Sequence, residues 1–291
     1  MKVKRWAYVL QGPRLAIKEG PPLTIDQIID TPYDLTVIDY SGDGSHKREF
    51  RRKDIERLQK KGKIVLAYMS IGEASDFRFY FRILPKNIIE SPNPDWPGAY
   101  KVRYWLPEWQ KFIYGKDSGF RKSWLDRILD AGFDGVYLDI VDAYLHFGPK
   151  EMEGSGERPS AADDMVELIS GLSTYAKKRN PHFFVFPQNG SSLFHHSKKT
   201  ELYFNSIDGI GQEDLFFFGS KKMDNSLNPQ KEVIENLLEF KKRGKLVLVI
   251  DYIRDIEKIK KFYELCHKHG FIPTIGSREL DGTLLPHHKG F

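Results

Sequence analysis

Short apolar runs alternate with charged, helix-patterned stretches along the whole chain, and this alternation limits the fold more than any other feature. Eight runs rich in β-branched and aromatic residues read as strands: 5–11, 35–41, 64–72, 135–141, 182–189, 207–214, 246–252 and 271–277. The sixth is the weakest, because Gly209 and Gly211 interrupt it. Helical patterns fill the spaces at 54–63, 123–135, 160–181, 228–245 and 255–270. Their ends carry ordinary start and stop signals: Ser160 as a cap, Pro229 at a first turn, Asn180-Pro181, Gly244 and Gly270 at the stops.

Strands that alternate with helices form parallel βαβ units, since the crossover helix returns each strand to the same direction. Eight such units in one chain match a (β/α)8 TIM barrel, which typically needs about 250 residues. The alternative, an open doubly wound sheet, binds nucleotide through a glycine-rich first turn. The first turn here, QGPRLAIKEGPP, contains neither GxGxxG nor GxxxxGK[ST], so the barrel is preferred. No low-complexity segment or Pro/Ser-rich linker divides residues 1–291, which are expected to form one domain. The chain stops soon after the eighth strand, so an eighth helix must be short or replaced by a loop.

Composition removes several classes. With 40% hydrophobic residues in 291, the core needs no covalent or metal staple. The one cysteine, Cys266, excludes an intrachain disulfide and any cysteine-based zinc or iron–sulfur site, and reads as a small buried hydrophobe. Met165 and Phe216-Phe217-Phe218 read as packing residues. No apolar run approaches the roughly 18 residues of a membrane-spanning helix. The start, MKVKRWAYVLQGP, lacks the features of a secretory signal peptide.

Polar residues at the C-terminal ends of barrel strands are the catalytic candidates in this architecture. Here those ends carry Gln11, Asp39-Tyr40, Ser70 with Gly72-Glu73, Asp139 and Asp142, Gln188-Asn189, Gln212-Glu213-Asp214, and Asp251-Tyr252. Seven carboxylates (Asp39, Glu73, Asp139, Asp142, Glu213, Asp214 and Asp251) thus fall on one rim, with Arg254 and Arg278 as the evident cations. An acidic rim sits on a chain of net charge +5. Nucleic acid demands the opposite field, so the expected substrate is neutral or cationic. Long connections at 73–122 and 143–160 follow the third and fourth strands. The first is rich in aromatics, among them Trp96, Tyr100, Tyr104, Trp105 and Trp109, which suit stacking on sugar faces.

Crowded carboxylates support glycoside hydrolysis, in which one acts as acid/base and the other as nucleophile or as base to water. Each raises the other's pKa, so one can hold a proton near neutrality. Carboxylates also bind hard divalent cations. But no DxDxDG loop is present, and no HxH or HxxxH pair lies at a strand end; His195-His196 and His287-His288 fall in a polar helix and the tail. No metal or cofactor is therefore expected. A non-catalytic carbohydrate-binding barrel and a metal-dependent hydrolase remain as alternatives.

Several strings occur in a characteristic order: WAYVLQ, VIDYS, AYMSIGEA, GFDGVYLDIVDAY, PQNG, GIGQEDLF and VLVIDY. Together they resemble glycoside hydrolase family 114, the endo-α-1,4-polygalactosaminidase-like barrels, over nearly the whole chain. The resemblance implies internal cleavage of an α-1,4-linked galactosamine polysaccharide and an extracellular or cell-envelope setting. It also implies a catalytic pair, Asp139 in YLDI and Glu213 in QEDL. The reading is a retaining mechanism with Asp139 as nucleophile and Glu213 as acid/base, roles that can be exchanged. Asp39, Tyr40, Glu73, Asp142, Asn189, Asp251, Tyr252 and Trp105 are expected to hold the sugar. The oligomeric state stays open.

Overall fold

A computed structural model describes residues 3–12, 22–115, 122–152 and 154–282. Its strands are β1 (Trp6–Val9), β2 (Leu35–Asp39), β3 (Ile64–Ser70), β4 (Glu73–Ser75), β5 (Ile89–Pro92), β6 (Ala99–Val102), β7 (Gly135–Asp139), β8 (Phe184–Pro187), β9 (Gly209–Glu213), β10 (Leu246–Asp251) and β11 (Ile272–Ile275). The strands read from the sequence are β1, β2, β3 and β7 to β11, each within its expected segment. They form two parallel ladders, β1-β2-β3-β7-β8 and β9-β10-β11. A parallel bridge between Gln188 and Gly211 joins β8 to β9. On the other side β11 comes round beside β1, where the Trp6 indole N–H donates to Ile272 O at 2.9 Å. The strands follow one another in the order of a (β/α)8 TIM barrel.

Two apolar clusters follow from the period-two alternation of strand side chains. Trp6, Tyr8, Leu35, Val37, Leu66, Tyr137, Phe186, Leu248 and Ile250 pack on one another inside the strands. The residues between them, such as Ala7, Ile38, Val65, Val136 and Val249, pack outward against helices Arg52–Gln59, Trp124–Ala131, Ala161–Arg179, Lys231–Lys242 and Ile256–His269. The two glycines that weaken the sixth predicted strand are a requirement of the inner cluster. A Cβ at Gly209 would collide with the Phe186 ring, and one at Gly211 with the Tyr137 hydroxyl.

Helix ends largely obey the sequence signals. Ser123 and Asp126 form a capping box, and Gly132 and Gly270 close their helices at φ 85° and 70°. Ser160 differs: its hydroxyl donates to Asp164 Oδ2 at 2.9 Å instead of capping its helix. At the face where the strands begin, Asp134 and Asp208 sit just before β7 and β9. They accept the backbone N–H of Val65 on β3 and of Val185 on β8, pinning the register of each neighbour.

The connection at 73–122, expected as a loop, contains a small antiparallel sheet in the order β4-β6-β5 and a helix, Pro107–Ile113. Its strands are at most four residues long and prolines 85, 92, 94 and 97 punctuate them, so no period is legible. The Trp109 indole donates to Ile71 O at 2.9 Å and fastens this insertion to the end of β3. The connection after β7 begins with a short helix, Ala143–Phe147. No helix follows β11 among the described residues, and none there is long and apolar enough to cross a membrane.

Candidate active site

Asp139 ends β7 and Glu213 ends β9, with β8 between them. Strands lie about 4.8 Å apart, so the two backbones are about 10 Å apart and inward-pointing side chains converge across β8. Asp139 Oδ2 accepts the Tyr68 hydroxyl at 2.6 Å, and Oδ1 accepts the N–H of Ile140 at 2.8 Å. Glu213 Oε2 accepts Gln188 Nε2 at 2.5 Å and Asn189 Nδ2 at 3.2 Å; Oε1 accepts the Tyr252 hydroxyl. Gln188 is itself oriented, since its Oε1 accepts the Tyr8 hydroxyl at 2.9 Å. Burial holds the phenols of Tyr8, Tyr68 and Tyr252 far above their ordinary range, so they stay protonated as donors.

The chain turns left-handed just past the ends of β7, β8 and β9: Ile140 has φ 56°, Asn189 56° and Asp214 53°. A β-branched residue seldom adopts this conformation, so Ile140 stores strain beside Asp139. Gly72 makes room for that turn, because a Cβ there would collide with the Ile140 carbonyl oxygen.

A cavity of about 630 Å³ opens over the pair, and Asp139, Glu213, Glu73 and Tyr252 all lie on its wall. Burial first, and the charge of Glu213 second, push the Asp139 carboxyl up to about 7. Two arginines reach the same wall and both are engaged. Arg78 forms a bidentate pair with Asp39 at 2.6 and 3.0 Å and also donates to Gly44 O. Arg278 pairs with Asp214 at 2.6 Å and stacks 4.1 Å from the Tyr252 ring centre. Among the described residues no salt bridge joins Asp139, Glu213 or Glu73 to a cation, though the Lys101 charge is felt at Glu73, so the cavity wall is acidic.

The residues expected to hold the sugar divide into three groups. Asp39, Glu73 and Tyr252 lie on the cavity wall, though Arg78 and the Ser41 N–H occupy the Asp39 carboxylate. Asn189 and Asp142 are not among the residues that line the cavity. Asn189 holds Glu213 through its amide, and its Oδ1 accepts the Glu213 N–H at 3.1 Å. Burial raises the Asp142 carboxyl, whose charge is felt by Asp139 and Glu73. Tyr40, Asp251 and Trp105 point elsewhere, which corrects the sequence reading. Tyr40 follows inward-facing Asp39, so alternation turns it outward onto the Trp124 ring, where it is 1% exposed. Trp105 packs against Tyr104 and Phe147 beneath Arg158.

Asp251 is fully buried, and its two oxygens accept the N–H groups of Leu215, Phe216 and Phe217 at 2.7, 3.0 and 2.8 Å. It anchors the loop that follows Glu213. Asp251→Ala would strand three buried donors, each worth about 1–3 kcal/mol. The expected loss of stability is about 3–5 kcal/mol, read by chemical denaturation with an unchanged slope; a loss below about 1 kcal/mol would contradict the anchor.

Some aromatics expected at the sugar are core residues: Tyr104 and Trp109 are fully buried, and Tyr100 packs on Phe81. Trp96 does reach the wall and is 66% exposed. Sequence reasoning missed Phe77, Arg78, Asn93 and Tyr68, which also line the cavity. Arg254 is exposed and binds Asp224 through its N–H, away from the wall. His195 pairs with Asn236 at 2.9 Å, and His287-His288 lie outside the described residues. Among the described residues no three His, Cys, Asp or Glu side chains are grouped to hold a metal ion.

Solved structures with the same fold include the glycoside hydrolase domain of PelA from Pseudomonas aeruginosa, at a TM-score of 0.66 and 14% identity over 96% of this chain and 97% of that one. Aspergillus fumigatus Ega3, solved in complex with galactosamine, gives 0.66 and 16% identity over 96% and 92%. In sequence, an uncharacterized protein of Methanocaldococcus jannaschii is 35% identical, spanning 95% of this chain and 77% of that protein. One from Thermotoga maritima is 30% identical over 97% and 83%. The profile of glycoside-hydrolase family GH114 matches residues 2–289, and with the match running through all eight barrel strands the chain belongs to that family.

Proposed function

We propose that this protein cleaves an α-1,4-linked galactosamine polymer internally, by double displacement between Asp139 and Glu213. One observation carries the reading: Asp139, Glu213 and Glu73 face one cavity with no cation paired to any of them among the described residues, while both wall arginines are spent on Asp39 and Asp214. Such a field attracts a polymer bearing ammonium groups and repels phosphates. The structural likeness to a protein solved with galactosamine supports the same substrate class. A polymer of this kind is met outside the cell or in its envelope, which is where the protein is proposed to act.

In the free protein burial, and then the charge of Glu213, raise the Asp139 carboxyl to about 7, so near neutral pH it exchanges a proton readily. A galactosamine residue carries its ammonium on C2, one bond from the reacting C1. Placed over Asp139, that charge favours the anion there, which is the form that attacks. Asp139 then attacks C1 as Glu213 protonates the leaving oxygen. Glu213 next takes a proton from water, which hydrolyses the glycosyl ester with net retention. Tyr68 and the Ile140 N–H hold the nucleophile; Tyr252, Gln188 and Asn189 hold the acid/base.

Reducing-end release from de-N-acetylated and N-acetylated α-1,4-galactosamine oligomers tests the proposal, with NMR of the first product. Turnover of the free-amine form with an α product is expected. A β product would overturn double displacement, and binding without release from either form would replace hydrolysis by recognition.

A further inference from the structure

One wall of the cavity comes from the small antiparallel sheet, and its parts are tied together. Glu73 opens β4, lies opposite Lys101 on β6, is only 7% exposed, and lines the cavity. Its Oε1 accepts Asn93 Nδ2 at 2.8 Å; among the described residues no hydrogen bond or ion pair reaches Oε2. Asn93 also shapes the turn between β5 and β6. Its Oδ1 accepts the Asp95 N–H at 3.0 Å and its own N–H donates to Ala99 O at 2.8 Å. That turn carries Trp96, 66% exposed on the same wall. Phe77 stands beside them, 54% exposed and backed by the Arg78 guanidinium 4.8 Å from its ring centre. Large apolar rings this exposed on a cavity wall mark a ligand surface.

Resting on the substrate class proposed above, we infer that Glu73, Asn93 and Trp96 form a separate sugar subsite that selects for a free amine on a residue neighbouring the one cleaved. Trp96 supplies a flat face for the apolar side of the sugar ring. The open oxygen of Glu73 takes the ammonium in a charge-assisted hydrogen bond. An N-acetyl group has no charge to offer and adds bulk, so it leaves a nearly buried carboxylate unpaired. Selection for deacetylated polymer is thereby placed on the insertion, apart from the reacting pair. The charges that act on Glu73 are those of Lys101, which favours its anion, and of Asp142, which opposes it; neither Asp139 nor Glu213 is among them.

The test is calorimetric binding of a galactosamine tetrasaccharide and its fully N-acetylated counterpart to the Glu213→Gln protein, which blocks turnover. The free-amine form is expected to bind at least about tenfold tighter. Adding Glu73→Gln, which preserves shape and the Asn93 bond, should remove most of that ratio. Trp96→Ala should weaken both ligands alike. An unchanged ratio in the Glu73→Gln protein overturns the subsite and leaves the hydrolase reading intact. Binding of neither tetrasaccharide to Glu213→Gln itself overturns the substrate class, before Glu73 is touched.

Discussion

Asp139→Asn is expected to lower kcat by at least about 10⁴, the scale on which removing one member of a catalytic unit acts, and also to stabilise the protein at neutral and alkaline pH. The two effects share one cause. The Asp139 carboxyl ordinarily titrates near 3.8 and in the fold is pushed up to about 7, chiefly by burial and then by Glu213. The folded state therefore binds this proton more tightly than the unfolded chain does. Stability must fall as pH rises from about 4 to about 7, with the full penalty present above that window. Asparagine carries no charge and escapes the penalty, at the expense of one weakened hydrogen bond worth about 1 kcal/mol. The gain should be a few kcal/mol at most, since each tenfold change in proton affinity is worth about 1.4 kcal/mol. Melting temperatures of both proteins at pH 4, 6 and 8 decide it. The variant should lead at pH 8 and the two should converge at pH 4; a constant gap would show that Asp139 does not carry the proton. Glu213→Gln should also lose turnover, by about 10²–10⁴. With the neighbouring charge removed, Asp139 should titrate lower, and the stability window should move down with it.

The barrel is legible because short apolar runs alternate with stretches of helical period, only Gly209 and Gly211 interrupting a run; the strand period of two emerges once the inner cluster is known. The proposed pair stands out through the strings YLDI and QEDL and not through position alone, since other strand-end carboxylates hold a loop, as Asp251 does, or an arginine, as Asp39 does. Three binding candidates failed, and for two of them the same period supplies the reason. On β2 the inward set is Leu35, Val37 and Asp39, so Tyr40 faces out. On β10 it is Leu248 and Ile250, continuing to Tyr252, so Asp251 faces the loop behind. Counting parity from the inner cluster would have removed both, and would have added Tyr68, which shares the inward face of β3 with Leu66. The insertion, which holds the third candidate, Trp105, is different. Arg78 meets Asp39, and Asn93 meets Glu73, across long stretches of chain. Its strands are too short to show a period, so no local pattern announces either contact. The subsite wall could only be found in three dimensions.

Gly211→Ala should be among the most damaging single changes outside the reacting pair, although it adds only one methyl group. Gly211 and Tyr137 each precede a reacting carboxylate by two residues, on the inward face of β9 and β7. The new Cβ would overlap the Tyr137 hydroxyl and still lie 2.6 Å from ring atom Cε2. The ring has nowhere to go: Tyr137 is fully buried, with Tyr8 at 5.1 Å and Trp6 at 6.2 Å between ring centres. Overpacking of a rigid core costs about 1–3 kcal/mol and more when no side chain can retreat; here about 4 kcal/mol is expected. Any relief must come from β7 and β9 moving apart, which carries Asp139 away from Glu213. Protein that still folds should therefore turn over more slowly, by about tenfold or more, since positioning within an ångström governs such steps. Tyr137→Phe separates packing from the hydroxyl. That hydroxyl is buried without a hydrogen-bond partner among the described residues, so its removal alone should be neutral or mildly stabilising. Combined with Gly211→Ala it should recover only part of the loss, because the ring carbons still obstruct the methyl group. Denaturation midpoints and kcat for the two single variants and the double variant measure this coupling. A Gly211→Ala protein within about 1 kcal/mol of the parent and fully active would mean that β7 and β9 are not held together by the Tyr137 ring, and that the spacing of the pair is set elsewhere.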